Sequence, residues 1–382
     1  MSHAERTDVV VVGLGVAGLS TALALARRGR RVVGLDRFGS GHPWTSSTGV
    51  SRSIRIAYAI PAYARLATEA LDRWAALEQQ SGRRLLHLTG QLDLGDSDTL
   101  AAITAGLQAV DAEHEQLDAA GIRRRMPGLT VAEGASGLFH PRAGTVQAAE
   151  GMAAMSAAAR AAGAELRAPL AATGIEVRGG GVRVTTAALP IDAERVVVAA
   201  GPWSASLLAP LGIEVALTPA YGQVTYFDAP QMVDMPGIVE WGEHGGTGVY
   251  GHPVPGIGYK LGFDAAGDDP WRPDAPPHVD VAERARLERW AAERLPRLSG
   301  TALRSDRHPW TMTPDGDFAI GNHGAVTVAA GCSGHAFKFG PALGELIADI
   351  AGGVPRPEAE LFALERAVLS GTAAAPSMPI SR

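Results

Sequence analysis

The chain has 382 residues, 46% of them hydrophobic and 19% charged, with a net charge of −6 and one cysteine, Cys332. That length calls for two domains, and the acidic balance without a basic cluster argues against a nucleic-acid partner. No apolar run reaches the length of a membrane span, a lone cysteine excludes an internal disulfide, and the polar opening MSHAERTD lacks a signal peptide's pattern, so a cytoplasmic protein is expected.

Residues 9–12, all valine, form a continuous β-branched run of the kind found in strands buried on both faces. The run breaks into Gly13, Gly15 and Gly18 at GxGxxG spacing. An alanine- and leucine-rich helix then extends to about Arg28, and residues 31–35 read as a second strand closed by Asp36. Each part has a physical task in binding a dinucleotide: Gly13 permits the tight turn, Gly15 lets the backbone approach a pyrophosphate, and Gly18 lets helix and strand pack closely. The helix start, with Val16 and Ala17, offers free N–H groups and a positive dipole end to phosphates. Asp36 stands where a carboxylate accepts from a ribose hydroxyl. The fingerprint predicts an ADP-bearing cofactor and does not by itself separate NAD from FAD.

A long loop over residues 38–55, FGSGHPWTSSTGVSRSIR, follows; loops of this length inside an α/β unit are commonly functional. Residues 62–79 carry helical spacing, 85–94 alternate like strand and turn, 99–108 read as a surface helix, and 122–129 contain the turn MPGL. A further helix covers 147–162 with Gly163 as its cap. Strands are predicted at 181–185 and 195–200, the latter running into Gly201, Pro202 and Trp203. Residues 215–265 look antiparallel, 281–294 form an amphipathic helix, 325–330 a third buried strand ending at Gly331, and 341–350 a last helix. The tail from 371 is expected to be disordered. Nucleotide-type strands thus recur near 10, 198 and 328 with antiparallel material between them. The predicted fold class is α/β: a discontinuous Rossmann-like domain plus an α+β domain with a mainly antiparallel sheet.

The segments VVVGLGVAGLS, SSTGVSRSIR, RMPGL, HPRAGTV, AAGPWS, GYKLGFD and AAGCSGHAFKFGPALGE together resemble the D-amino-acid-oxidase superfamily of FAD enzymes, within it the sarcosine oxidase and N-methyltryptophan oxidase branch. The similarity runs nearly end to end. It implies FAD, a monomer, a small amine or amino-acid substrate, and O2 as oxidant. The chemistry implied is hydride transfer from the C–N carbon to flavin N5, giving an imine and then H2O2. The corresponding division is residues 1–85, 145–215 and 310–370 for the FAD domain and 86–144 and 216–309 for the substrate domain, with 371–382 as tail.

Arg52 and Arg55 would ordinarily be solvated surface arginines. The resemblance places Arg52 by the flavin and pairs Arg55, whose planar fork suits it, with a substrate carboxylate. Lys260, in an alternating strand, would ordinarily face solvent. The family match sets it over the flavin, where its charge assists oxygen reduction and favours an oxidase over a dehydrogenase using another acceptor. Lys338 is implied as a second carboxylate anchor that also borders the cofactor. Gly331, Gly334 and His335 are implied as a turn at the flavin, where the last helix can stabilise the reduced ring. Cys332 in the same turn reads as a small buried hydrophobe. Arg37, Ser46, Ser47, Gly201 and Trp203 complete the expected cofactor site.

Tyr250 and Trp310 match aromatic positions at the substrate and are equally readable as core. Thr48 and Asp264 stand where the sarcosine oxidases have histidines, so sarcosine itself is not the expected substrate. Asp264 is either a strand-end carboxylate or the partner of a second ammonium or polar tail. His308 occupies the position of the cysteine that carries FAD in those relatives. Non-covalent FAD is the expectation, with a histidyl link through His308 as the alternative. No metal ligand set is found. The remaining readings are a nicotinamide-dependent dehydrogenase and a non-enzymatic dinucleotide-binding scaffold, the latter disfavoured by Arg55, Lys260 and Lys338 occurring together.

Overall fold

A computed structural model describes residues 5–39, 42–242, 248–267, 269–273, 275–298, 302–366 and 369; the tail from 371 lies outside them. The valine run forms the strand Glu5–Val12, flanked in parallel by Ile191–Val198 on one side and Val32–Leu35 on the other. Side chains Val9 to Val12 are buried, as a central strand covered on both faces requires. Beyond Val32–Leu35 lies Glu165–Arg167, also parallel. The strand Ile191–Val198 changes neighbours along its length. Its first half pairs antiparallel with Gly181–Thr186, and its last residues pair in parallel with Val326–Ala330. All three valine-rich strands therefore end on the same edge, where ligands of open α/β sheets bind. The helix Val16–Arg27 covers this sheet and packs against the helices Ala148–Ala161 and Gly340–Ala351.

The second sheet runs, in order, Arg304–Met312, Thr218–Asp228, Gly258–Phe263, Val249–Val254, Gly237–Glu240, Gln91–Leu94, Ser136–His140 and Glu115–Asp118. Every adjacent pair is antiparallel except Gly237–Glu240 against Gln91–Leu94. A small third sheet joins Ser51–Arg55, Ala143–Gln147 and Leu86–Leu88. It carries the two arginines of the long loop.

The α/β class with a mainly antiparallel second sheet is as predicted, with local corrections. Position 310, expected to open the last cofactor segment, falls inside Arg304–Met312, a strand hydrogen-bonded to the second sheet over its whole length. Likewise 145 falls inside Ala143–Gln147. The helix expected at 99–108 begins at Ser97, where the Asp96 carboxylate caps Thr99 N at 2.7 Å; it lies on the surface, with Ala101, Ala105 and Gln108 exposed and Leu100, Ile103 and Leu107 buried on its inner face. A short helix, Ala119–Arg125, capped by Asp118, precedes the MPGL turn where only the turn was predicted. The helix Val281–Arg294 matches its prediction at both ends. Among the described residues no helix is long and apolar enough to cross a membrane, and no His/Cys/Asp/Glu group is arranged to hold a metal ion.

Candidate functional site: a nucleotide cleft and an adjoining cationic cavity

The glycines of the fingerprint are fixed by close approach. Gly13 has φ +95°, and a Cβ there would sit 2.3 Å from the Ala199 carbonyl oxygen. At Gly18 a Cβ would lie 1.9 Å from the Gly13 carbonyl oxygen. These contacts draw the ends of two parallel strands and the start of the first helix together. Gly15 caps that helix; its nearest neighbour is Ser47 Oγ, which accepts from Val16 N at 2.9 Å. The Asp36 carboxylate accepts from Leu14 N at 2.7 Å and Phe38 N at 2.8 Å. Burial raises its pKa against the pull of those bonds. It therefore braces the turn as well as facing the cleft.

Around this edge lies a cleft of about 670 Å³, which Gly13, Gly15, Val16, Ala17 and Asp36 line from one side. Arg37, Ser46, Ser47 and Arg52 come from the following loop, and Gly201, Trp203, Gly331 and Gly334 from the other two strand ends. Gly18 is buried behind the cleft, consistent with a packing task. Arg37 lies over the Trp203 ring at 5.9 Å. The Trp203 indole N–H is buried without a hydrogen-bond partner among the described residues. Glycines that a Cβ would obstruct, a helix start facing the space, an acid at the second strand and an orphaned indole donor fit an ADP-bearing cofactor.

Arg52, Trp310, Gly334 and Phe337 line this cleft and also a second, smaller cavity of about 70 Å³, so the two adjoin. The second cavity is lined by Arg55, Tyr250, Lys260, Asp264, His308 and Lys338. His335, expected at the cofactor, lines this cavity and not the cleft, as do His308 and Lys338. Thr48 lines neither; its carbonyl oxygen accepts from Arg52 Nη2 at 2.6 Å. Trp310 lies across Gly222, where a Cβ would come within 2.1 Å of the indole.

The strand Ser51–Arg55 organises the cations. Arg52 is tied to the Ser46, Thr48 and Ser51 carbonyls and lies 5.4 Å from the Phe337 ring. Lys260 Nζ donates to Ser51 O at 2.7 Å. Arg55 donates to Ala57 O through Nη1, while Nη2 has no partner among the described residues; its guanidinium is 4.2 Å from the Tyr58 ring. Lys338 Nζ donates to His335 O at 3.2 Å and lies 5.7 Å from the same Tyr58 ring. Arg55, Lys260 and Lys338 are all buried. Burial, then repulsion from Arg52, pushes the Lys260 amine well below its ordinary pKa. Burial, then Arg55, does the same to Lys338, with Asp264 opposing.

Sequence reading did not single out His252, Gln91, Asp93 or Phe337. His252 lines the cavity beside Tyr250, two residues away on one strand, with Nδ1 unpartnered among the described residues. Burial, then Lys260 and Arg52, keep it neutral. The period-two rule applied to Tyr250 would have found it. His308 has both ring nitrogens unpartnered among the described residues and is likewise held neutral by burial and by Arg52.

A nucleotide cleft that opens onto a buried cationic cavity defines a flavin-dependent oxidoreductase of the type that acts on C–N bonds, and a model of the DAO family of FAD dependent oxidoreductases matches residues 8–350. The chain belongs to that family. It is similar to monomeric sarcosine oxidase of Streptomyces avermitilis, 36% identical over 360 residues, covering 90% of this chain and 93% of the relative. It is also similar to N-methyl-L-tryptophan oxidase of Yersinia pestis, 28% identical with 94% and 99% covered. Among solved structures it resembles NikD, described as an unusual amino acid oxidase essential for nikkomycin biosynthesis. That match has TM-score 0.82 and 30% identity, covering 94% of this chain and 98% of that one.

Proposed function

We propose that the protein is an FAD-dependent oxidase of a carboxylate-bearing amine, an N-substituted or cyclic amino acid. The observation that carries this reading is the charge of the small cavity: Arg52, Arg55, Lys260 and Lys338 line it against one acid, Asp264. Buried cations in such excess require an anion. Arg55 and Lys338, facing one aromatic ring, suit a carboxylate as paired anchors, with the Arg55 fork supplying the in-plane donors.

Gly13, Gly15, Val16 and Ala17 would hold the diphosphate of FAD, Asp36 a ribose, and the turn Gly331 to Gly334 the far end. Bound there, FAD would supply two-electron oxidation of the C–N bond, with O2 as electron acceptor and H2O2 as its product. Lys260, held by Ser51 O in the wall of the small cavity, places a positive charge where negative charge develops during oxygen reduction. This favours an oxidase over a dehydrogenase with another acceptor. Tyr250 and Trp310 wall the substrate, and Asp264 meets a second ammonium or polar substituent. Neutral His252 and His308 offer acceptors to an amine N–H without adding charge. FAD is held non-covalently, since His308 lines the small cavity and not the cleft.

A panel of amino acids, N-methyl and cyclic amino acids and their decarboxylated amines tests the proposal through anaerobic bleaching of the flavin. Bleaching by the acids, with peroxide formed on admitting air, is expected. Equal bleaching by amines that lack a carboxylate would sink it.

A further inference from the structure

Behind the small cavity lies a buried acid that the proposed reaction does not use. Asp93, with no exposed surface, sits in the strand Gln91–Leu94. Its carboxylate accepts from Gln91 Nε2 at 3.0 and 3.1 Å and from Trp241 Nε1 at 3.1 Å. Gln91 lines the cavity, and the Trp241 ring lies 5.5 Å from the Arg55 guanidinium. Asp93 is thus joined to the cavity by two routes, one of them ending on Arg55. Of the groups packed around it, Gln91 and Trp241 carry no charge. His140, 3.7 Å away on the neighbouring strand, is kept neutral because burial pushes it down to about 3. Arg55 is the charged group whose attraction reaches Asp93, and against that attraction burial lifts the carboxyl to about 6.

We propose that Asp93 is a positioning residue for the substrate carboxylate: ionised, it tempers the field of Arg55, and it takes up a proton from solvent when a carboxylate ligand reaches Arg55. The proposal rests on the reading that Arg55 receives that carboxylate. A second anion at Arg55 repels the Asp93 carboxylate and weakens the attraction that kept it ionised, so its pKa rises in the complex. By linkage, affinity for carboxylate ligands increases as pH falls through the range set by the free and bound values. Each unit of rise strengthens binding about tenfold on the acid side.

The test uses the FAD-loaded full chain with methoxyacetate and methoxyacetamide as probes. Dissociation constants are read from the flavin absorbance between about pH 5 and 8, a window that brackets Asp93's free value. Proton uptake is read by calorimetry near pH 6 in buffers of different ionisation enthalpy. Wild type is expected to bind methoxyacetate severalfold more tightly at the acid end, with net proton uptake, and to bind the amide without either effect. Asp93→Asn should abolish the uptake and flatten the profile. Trp241→Phe removes a donor to the charged form and should move the inflection to higher pH. A flat wild-type profile, uptake that persists in Asp93→Asn, or an inflection that Trp241→Phe leaves in place overturns the proposal. Methoxyacetate and its amide binding equally well overturns instead the reading of Arg55 on which it rests. If Asp93→Asn fails to fold, the Trp241→Phe inflection alone decides.

Discussion

Alanine substitutions at Gly18 and Gly15 should separate what holds the fold from what admits the cofactor. At Gly18 the new methyl would lie 1.9 Å from the Gly13 carbonyl oxygen and 3.2 Å from Ala199 Cβ. Carbon and oxygen in non-bonded contact stand roughly 3.3 Å apart, so the helix Val16–Arg27 must retreat from the strand by something on the order of 1 Å. That helix buries Leu19, Leu23 and Leu25, and forcing apart so well packed an interface costs roughly 1–3 kcal/mol. Gly15 differs: its φ of −65° suits alanine, and the nearest atom to a Cβ is Ser47 Oγ at 3.2 Å, but the methyl would project into the cleft. Chemical denaturation of the cofactor-free proteins, with FAD titrations followed by flavin fluorescence, provides the assay. Gly18→Ala should lose stability without cofactor, whereas Gly15→Ala should keep it and lose FAD affinity by about tenfold or more, the equivalent of some 1.4 kcal/mol. A cofactor-free Gly18→Ala as stable as wild type would refute the close-approach argument, and so would a Gly15→Ala that binds FAD normally.

Lys260→Met should leave reduction of the flavin by substrate largely intact and slow its reoxidation by oxygen in stopped-flow mixing; unchanged reoxidation would make Lys260 a structural residue. Arg55→Ala or Lys338→Ala should weaken carboxylate ligands by about 2–5 kcal/mol, the usual cost of deleting one partner of a buried charge pair. Their amides should be affected far less, and equal losses for both ligand types would contradict the anchor assignment. Acid precipitation of the holoprotein should leave a colourless pellet and free FAD. A yellow pellet, decolourised in His308→Ala, would instead establish a histidyl link.

The cofactor half was legible because its signals are local. A valine run, three glycines at fixed spacing and an acid closing the next strand all lie within residues 9–36, and each answers a steric demand visible between neighbours. Helix Val281–Arg294 was legible for a similar reason: Asp280 caps it, accepting from Ala282 N and Glu283 N. The order of the second sheet was not legible. Gly237–Glu240 lies parallel to Gln91–Leu94, and no local pattern records a pairing between segments so far apart. The helix Ala119–Arg125 was hidden because three of its seven residues are arginines, which obscures an apolar stripe. Arg55, Lys260 and Lys338 were found through family resemblance, since nothing in composition sets a buried lysine apart from a solvated one. Asp93 escaped both routes: it is an acid in an apolar strand, and its partner Trp241 comes from a distant part of the chain.

The cleft draws its walls from residues 12–17, 35–38, 45–52, 171–173, 199–207 and 310–347, and this scatter fixes when during synthesis the cleft can be complete. A nascent polypeptide that has left the ribosome through its fingerprint helix still lacks Ala199, against which Gly13 closes. It also lacks Val326–Ala330 and the turn at Gly331. The cleft is therefore complete only once the chain has emerged through its last wall, at Leu343 and Ile347. Truncation from the C-terminal side into Val326–Ala330 removes a wall of the site, not an appendage.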